Sequence, residues 1–170
     1  MDEPFILTLE PIPSCNYGIS LANLLPKDTW NTLRRTVYQN ARYTCEICGA
    51  MDVEVHCHEV WHYTDKKPFV QKLVELKCIC KDCHAVKHWW HTVAEIHAGK
   101  LPQFYLEQLI EHFCLTNRCS RDEFDLYKVV MGTLADIRNK RQYRLDWGVF
   151  LPEKVIKICN NQSHRKDMRR

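Results

Sequence analysis

The chain has 170 residues, a formal net charge of +3 and 45% hydrophobic residues, which is enough for one domain with a modest core. This composition excludes a disordered chain, and no run of 18 apolar residues predicts a membrane span. The first residues, MDEPFILTLE, begin acidic and lack a small-residue cleavage site. We therefore expect an intracellular, non-secreted protein without a membrane partner.

Charge is unevenly distributed along the chain. Residues 138–170 carry ten Lys or Arg and three Asp or Glu, whereas residues 1–137 carry fourteen and eighteen. A basic segment on a slightly acidic body favours a nucleic-acid partner, because each neutralised phosphate releases a counterion. The candidates for phosphate binding are Arg138, Lys140, Arg141, Arg144 and the tail SHRKDMRR.

The first predicted elements are an irregular arm and a helix. Residues 1–26 are punctuated by prolines and predict a peripheral arm with short extended pieces. Asp28 suits the N-cap of a helix over 28–42, in which Trp30, Leu33 and Val37 recur at helical spacing. This helix leads directly into the first cysteine pair.

The middle of the chain predicts a hairpin and a helix. The stretch CEICG is a turn, 51–63 reads as a strand or hairpin arm, and 69–80 predicts a second strand. Residues 82–98 have the N-cap, the period and, at Gly99, the stop of one helix, with His84, His88, His91 and Glu95 on one face. A strand pair followed by helices indicates an α+β fold.

The last third predicts more helix. One helix follows Pro102, and a second spans 121–141 and opens with a capping box of Ser120 and Glu123. Residues 147–151 predict a late strand. The segments so defined are an N-terminal arm (1–27), a helix plus zinc-knuckle core (28–100), a C-terminal helical extension (101–144) and a basic C-terminal segment (145–170).

Two Cys-x-x-Cys pairs indicate a structural Zn²⁺. Each pair offers two thiolates at the spacing that a tight turn can direct at one tetrahedral ion. Clustered cysteines in a reducing compartment favour metal binding over disulfides. The hairpin between the pairs must fold back to bring them together. The ligands would be Cys45, Cys48, Cys80 and Cys83, and their closed coordination shell would leave this zinc without chemistry of its own.

Histidines on the strand and on the helix predict a second metal site. His84 and His88 are one helical turn apart, so two imidazoles can converge on one cation. Cys83, at the start of this helix, would bind the same zinc ion as the cysteines at the ends of the hairpin. His58 on the first strand should therefore lie beside the helix histidines.

The stretches CEIC, HCHEVW and LKCICKDCHAVKH, in this order, resemble the HNH endonucleases, the zinc-knuckle-bearing branch of the ββα-metal nucleases. The resemblance covers residues 45–88. It implies a treble-clef-like knuckle with a β-hairpin and a helix, flanked here by additional helices, and DNA as substrate. It places His58 as the general base, and His84 and His88 as ligands of a single catalytic divalent ion that stabilises the departing oxygen.

Two positions depart from the family pattern. The residue before the base is commonly a His or Asp ligand, and here it is Cys57, whose soft thiolate suits Zn²⁺ better than Mg²⁺. The catalytic ion could therefore be Mg²⁺, Mn²⁺, Ni²⁺ or Zn²⁺. No asparagine lies between residues 59 and 82, so the family's middle residue, whose carbonyl usually orients the base, is missing, and Asp65 or Gln71 could substitute. Further candidates for the site are His56, Glu59 and His91.

Two other functions fit parts of the pattern. Cys57-His58-Glu59 followed by a Cys-x-x-Cys pair fits the zinc nucleobase deaminases, although His84 and His88 would then have no role. A zinc-knuckle module that binds DNA or protein without cutting fits Cys57 and the missing asparagine. Strand nicking identifies the nuclease, and base conversion without strand breaks identifies the deaminase.

Overall fold

A computed structural model describes residues 5–151 and confirms the expected α+β class. Within this range no helix has the length and apolar character needed to cross a membrane. The strands are β1 (Val55–Tyr63), β2 (Val70–Cys80) and β3 (Arg144–Asp146). The helices are α1 (Leu21–Leu24), α2 (Lys27–Asn40), α3 (Lys81–Lys87), α4 (Trp89–His97), α5 (Tyr105–Asn117) and α6 (Arg121–Asn139).

Strands β1 and β2 form the antiparallel hairpin that the sequence predicts. Cys57 lies opposite Cys78, and His58 lies opposite Lys77. Because successive side chains alternate between the faces of a sheet, His58 and Cys57 project to opposite sides. The strand order is β1-β2-β3, so β1 is an edge strand with one unpaired side.

The late strand lies earlier than predicted, and the prediction of a strand over 147–151 is wrong. Strand β3 pairs in parallel with the start of β2, and a 3-10 turn follows at Gly148–Phe150. Gly148 has φ of +55°, a left-handed conformation that cannot continue a strand. Its N–H donates to the Asp146 carboxylate at 2.9 Å, which closes the turn.

The single helix predicted over 82–98 is two helices, which corrects that expectation. Helix α3 begins one residue early because the Cys80 thiol caps it, accepting the Cys83 N–H at 3.4 Å. His88, with φ of −94° and ψ of 39°, separates α3 from α4. At this break the Thr92 hydroxyl donates to the Ala85 carbonyl at 2.9 Å, which satisfies a carbonyl at the end of α3.

Helices α5 and α6 close the fold behind α3. Ser120 forms the predicted capping box at the start of α6, because its hydroxyl accepts the Glu123 N–H and its own N–H donates to the Glu123 carboxylate. Phe113 of α5 and Phe124 of α6 meet edge to face, with ring centroids 4.8 Å apart, and both are fully buried. This contact packs α5 against α6.

The N-terminal arm is part of the core, which overturns its prediction as peripheral. Leu7 and Leu9 are 0% and 1% exposed and belong to the same hydrophobic cluster as Phe113. Thr8 between them is 4% exposed and accepts a hydrogen bond from Lys87 Nζ, whereas Ile6, which precedes Leu7, is 67% exposed. Residues 7–9 are thus buried on both faces of the extended chain, with the leucines in the hydrophobic cluster and Thr8 against Lys87. The Glu10 N–H donates to the Lys87 carbonyl at 3.0 Å, which fixes the arm to the end of α3.

Leu9→Ala should lower the free energy of unfolding by about 2–5 kcal/mol, because it removes buried methyl groups and leaves a cavity. Ile6→Ala is the matched control and should change it by less than about 0.5 kcal/mol, since Ile6 faces water. Urea unfolding of both variants measures the difference. Equal effects would contradict the buried position of the arm.

Candidate metal sites

The first cysteine pair sits in a tight turn between α2 and β1. The Cys45 N–H donates to the Ala50 carbonyl and the Gly49 N–H donates to the Cys45 carbonyl, both at 2.9 Å. Gly49 has φ of +76°, a conformation that glycine adopts without a steric penalty. The turn directs both thiols of the pair towards the end of β2.

The two cysteine pairs form one cluster, as predicted. The sulfur atoms of Cys45, Cys48, Cys80 and Cys83 all lie within 4.8 Å of one another. The Cys48 and Cys80 sulfurs are 3.7 Å apart. Four sulfurs bound tetrahedrally at about 2.3 Å from Zn²⁺ would be about 3.8 Å apart. The cluster therefore fits one zinc ion with only small adjustments.

The electrostatics of this cluster also favour a cation. Hydrogen bonds from Cys80 and Cys83 hold the pKa of the Cys45 thiol far below its usual range. The hydrogen bond to Cys45 in turn raises the pKa of Cys80 to about 12. One thiolate therefore suppresses the ionisation of its neighbours. A divalent cation offsets this repulsion and allows several thiolates to form together.

His112 of α5 contacts the cysteine cluster, and the sequence analysis did not identify it. Its Nε2 lies 3.1 Å from the Cys83 sulfur. A ring N–H at this position can donate to a metal-bound thiolate, an arrangement that orients ligands and tunes metal sites. His112 lies outside the residues that carry the family resemblance, so its position depends on the packing of α5.

A second cluster joins β1 to the end of α3. One ring nitrogen each of His58, His84 and His88 can be chosen so that the three lie within 4.8 Å of one another. The His58 ring meets the His84 and His88 rings edge on, with centroids 5.4 and 5.2 Å away. We call these three residues the histidine site. The structure thus brings together the predicted base and both predicted helix ligands.

The helix histidines of this site are neutral at neutral pH. Burial first, and then the charges of the nearby His88, His58 and His56 rings, lower the pKa of His84 to about 2. Burial and the His58 ring lower the pKa of His88 to about 4. A neutral imidazole has a free lone pair, which is the form that binds a metal ion.

Glu10 of the N-terminal arm completes the surroundings of His58. Its Oε2 is 3.0 Å from His58 Nε2, and its Oε1 is 2.9 Å from Lys87 Nζ. Burial alone would raise the pKa of Glu10, but the charges and hydrogen bonds of His58 and Lys87 outweigh it and lower the pKa to about 2. Glu10 is therefore a carboxylate. Sequence analysis missed it, although the alternation with Leu7 and Leu9 could have placed it opposite the core.

Cys57 is not part of the histidine site. It projects to the other face of β1, where burial first, and then the charge of Glu59, raise the pKa of its thiol to about 12. A neutral thiol is a poor metal ligand. The structure therefore gives no support to the prediction that Cys57 binds the catalytic ion.

Glu59 lies on the same face as Cys57 and has a structural contact. It accepts the Leu21 N–H at 2.6 Å, which attaches α1 to β1. Burial raises the pKa of its carboxyl to about 7. Glu59 therefore supports the fold around the site, and among residues 5–151 it forms no hydrogen bond with the helix histidines.

The two residues expected to replace the missing asparagine are engaged elsewhere. Asp65 lies 3.2 Å from Arg141, and 84% of its side chain is exposed. Gln71 is buried and accepts a hydrogen bond from the Asn16 amide at 2.9 Å. Within residues 5–151 neither of them forms a hydrogen bond with His58.

The two remaining histidine candidates lie beside the histidine site. The His56 ring stacks on the His84 ring with centroids 4.9 Å apart. His91 Nδ1 lies 2.9 Å from the Tyr17 hydroxyl, which holds a loop of the arm over the site. Both residues therefore shape its surroundings.

The basic candidates for phosphate binding divide into two groups. Arg138 lies over the Tyr63 ring at 3.7 Å and donates to the Pro11 carbonyl, and Arg141 lies over the Phe69 ring at 4.8 Å. These contacts give both side chains structural roles. Lys140 and Arg144 are exposed. The tail SHRKDMRR lies outside the described residues.

An open cleft leads to the histidine site. It has a volume of about 470 Å³ and is lined by residues from both faces of β1, which places it along the free edge of that strand. Side chains of the arm and of α2 form the opposite wall. The polar groups at its floor are His58, His84 and His88, and the aromatic rings along it include Tyr17, Trp30 and Trp61.

Zinc binding should depend on the four cysteines of the cluster and on the contact between Cys83 and His112. Cys80→Ser should abolish tight binding of one zinc ion per chain, whereas Cys114→Ser, at a cysteine outside the cluster, should retain it. His112→Ala should weaken zinc binding by about 10- to 100-fold, because it removes a hydrogen-bond donor from Cys83. Competition with a chromogenic chelator measures all three affinities, and equal values would contradict the assignment.

Comparison with known proteins adds no relative. No family model matches the chain, and no curated protein or solved structure matches it either. The resemblance to the HNH endonucleases therefore depends on the motifs in the sequence. What the structure adds is an α+β fold in which four cysteines could hold a zinc ion and three histidines lie together.

Proposed function

We propose that the protein is a metal-dependent HNH-type endonuclease that hydrolyses phosphodiester bonds in DNA. The observation that carries this proposal is the convergence of His58, His84 and His88 at the floor of a cleft, separate from the four-cysteine cluster. A closed cysteine site alone would indicate structural zinc. A second group of nitrogen donors, open to a cleft, supports chemistry at that position.

The residues of the histidine site fit a divalent ion. His84 and His88 are neutral, half-buried and one helical turn apart, so their lone pairs are available to one cation. When bound, the ion would polarise the scissile phosphate and neutralise charge on the departing oxygen. Imidazole donors suit Ni²⁺ and Zn²⁺ better than Mg²⁺, and the thiol of Cys57 is not needed to hold the ion.

His58 is the proposed general base. Glu10 is ionised and can only accept, so in the neutral imidazole that a general base requires, the hydrogen bond between them places the ring proton on Nε2. Nδ1 then carries the lone pair. It is buried, and among residues 5–151 no group forms a hydrogen bond with it. As the base, this nitrogen would take the proton of a water that enters from the cleft lined by His58, His84 and His88.

The cleft supports a nucleic-acid substrate. Its volume of about 470 Å³ falls in the range of ligand-binding clefts. Aromatic rings such as Tyr17 and Trp30 can stack on bases without selecting among them. The exposed Lys140 and Arg144 remain the candidates for phosphate contacts outside the cleft.

Purified protein should nick supercoiled plasmid DNA when Ni²⁺, Zn²⁺ or Mn²⁺ is added, and less with Mg²⁺. His58→Ala and His88→Ala should each lower the nicking rate by at least about 100-fold, the usual contribution of a general base or of charge stabilisation. His97→Ala is the control, because His97 is exposed at the end of α4. Gel electrophoresis of the plasmid forms measures the rates.

Metal analysis must accompany the nicking assay. Zinc at the cysteine cluster should be the same in wild type, His58→Ala and His97→Ala, so that lost activity cannot be attributed to a lost fold. Wild-type protein with intact zinc that fails to nick DNA with all four ions would contradict the nuclease. DNA binding without nicking would then support the zinc-knuckle binding module.

A further inference from the structure

The N-terminal arm contributes a charged group to the histidine site. Glu10 is 48 residues from His58 in sequence, yet their side chains are 3.0 Å apart. His58 is 2% exposed and Glu10 is 17% exposed. A buried carboxylate against a buried imidazole is costly to desolvate unless both are fully paired. Their contact therefore indicates a specific role.

The position of Glu10 is fixed by three further hydrogen bonds. Its N–H donates to the Lys87 carbonyl at 3.0 Å, and Lys87 Nζ donates to Glu10 Oε1 at 2.9 Å. Lys87 Nζ also donates to the Thr8 hydroxyl at 2.8 Å. Lys87 is the last residue of α3 and precedes His88. The arm and the helix histidines are thus joined directly, while Leu7 and Leu9 anchor the arm in the core.

The contact with Glu10 supplies the hydrogen-bond acceptor for His58 that no asparagine of the sequence provides. A base histidine needs an acceptor on one ring nitrogen so that its other nitrogen is free and correctly oriented. No asparagine is present between residues 59 and 82, and Asp65 and Gln71 have other partners. Glu10 Oε2 is the acceptor on His58 Nε2.

We propose that Glu10 is the positioning residue of the histidine site: it holds His58 as the Nε2–H tautomer and directs Nδ1 to its task. The inference rests on the proposed role of His58 for its effect on DNA cleavage. Its structural part, the tautomer and orientation of the ring, stands independently of cleavage. The N-terminal arm is then a part of the site and not only of the core.

The test uses the full chain with one equivalent of zinc and compares Glu10→Ala, Glu10→Gln and Glu95→Gln. Glu10→Gln keeps the size of the side chain and an oxygen acceptor, and Glu95 is a control carboxylate on α4 that pairs with Lys100. Nitrogen-15 NMR of the histidine rings, with His58 assigned by His58→Gln, reports which ring nitrogen carries the proton. Nicking kinetics report kcat and KM for plasmid DNA.

Wild type and Glu95→Gln should show His58 protonated on Nε2. Glu10→Ala should show a mixture of both tautomers and a kcat lowered by about 10- to 100-fold, with KM nearly unchanged, because the hydrogen bond acts on the ring and not on DNA. Compared with Glu10→Ala, Glu10→Gln should restore part of the Nε2–H tautomer and part of kcat. Its near-identical shape makes it the deciding variant if Glu10→Ala does not fold.

Two results overturn the inference. One is a His58 ring whose tautomer in wild type is Nδ1–H. The other is a Glu10→Gln or folded Glu10→Ala protein whose His58 spectrum matches Glu95→Gln. If the nuclease proposal is wrong, wild type will not nick DNA with any of the four ions. The nitrogen-15 spectra of the His58 ring would still decide whether Glu10 positions it.

Discussion

The contact on which the structure depends is the junction of β2 and α3 at Cys80. The Cys80 sulfur belongs to the four-cysteine cluster and also caps α3 by accepting the Cys83 N–H. Zinc bound by this cluster would therefore fix both the start of α3 and the end of the hairpin. His84 and His88 follow that cap by about one and two helical turns. The start of α3 at Cys80 therefore also determines where their side chains project. A structural ion would thus position a second site without taking part in its chemistry.

The second site is held together by paired charges in a poorly solvated region. Glu10 accepts hydrogen bonds from His58 and Lys87, and each pairing reduces the cost of burying the others. Neutral His84 and His88 lie next to this pair, so the site combines a fixed carboxylate with free imidazole lone pairs. That combination suits a cation and the transfer of a proton, and it is the reason why we propose hydrolysis as the function.

Local patterns predicted the elements well and the long-range contacts poorly. The cysteine spacing and the i, i+4 histidines placed both clusters, because short spacings on a turn or helix fix the geometry directly. Cys57 was predicted as a metal ligand only from its position in the family motif. Because neighbouring residues of a strand project to opposite faces, Cys57 points away from the histidine site. Glu10 and His112 were missed because each reaches its cluster through the packing of a distant segment, which no local spacing encodes. The break at His88 depends likewise on a hydroxyl of the next helix.

Anomalous X-ray scattering can locate the two separate metal ions that we propose for this chain. Crystals grown with Zn²⁺ or Ni²⁺ should show one anomalous peak among the sulfurs of Cys45, Cys48, Cys80 and Cys83 and a second beside the ring nitrogens of His84 and His88. A single peak at the cysteines, with no anomalous density at the histidine site under saturating metal, would contradict the proposed second metal site.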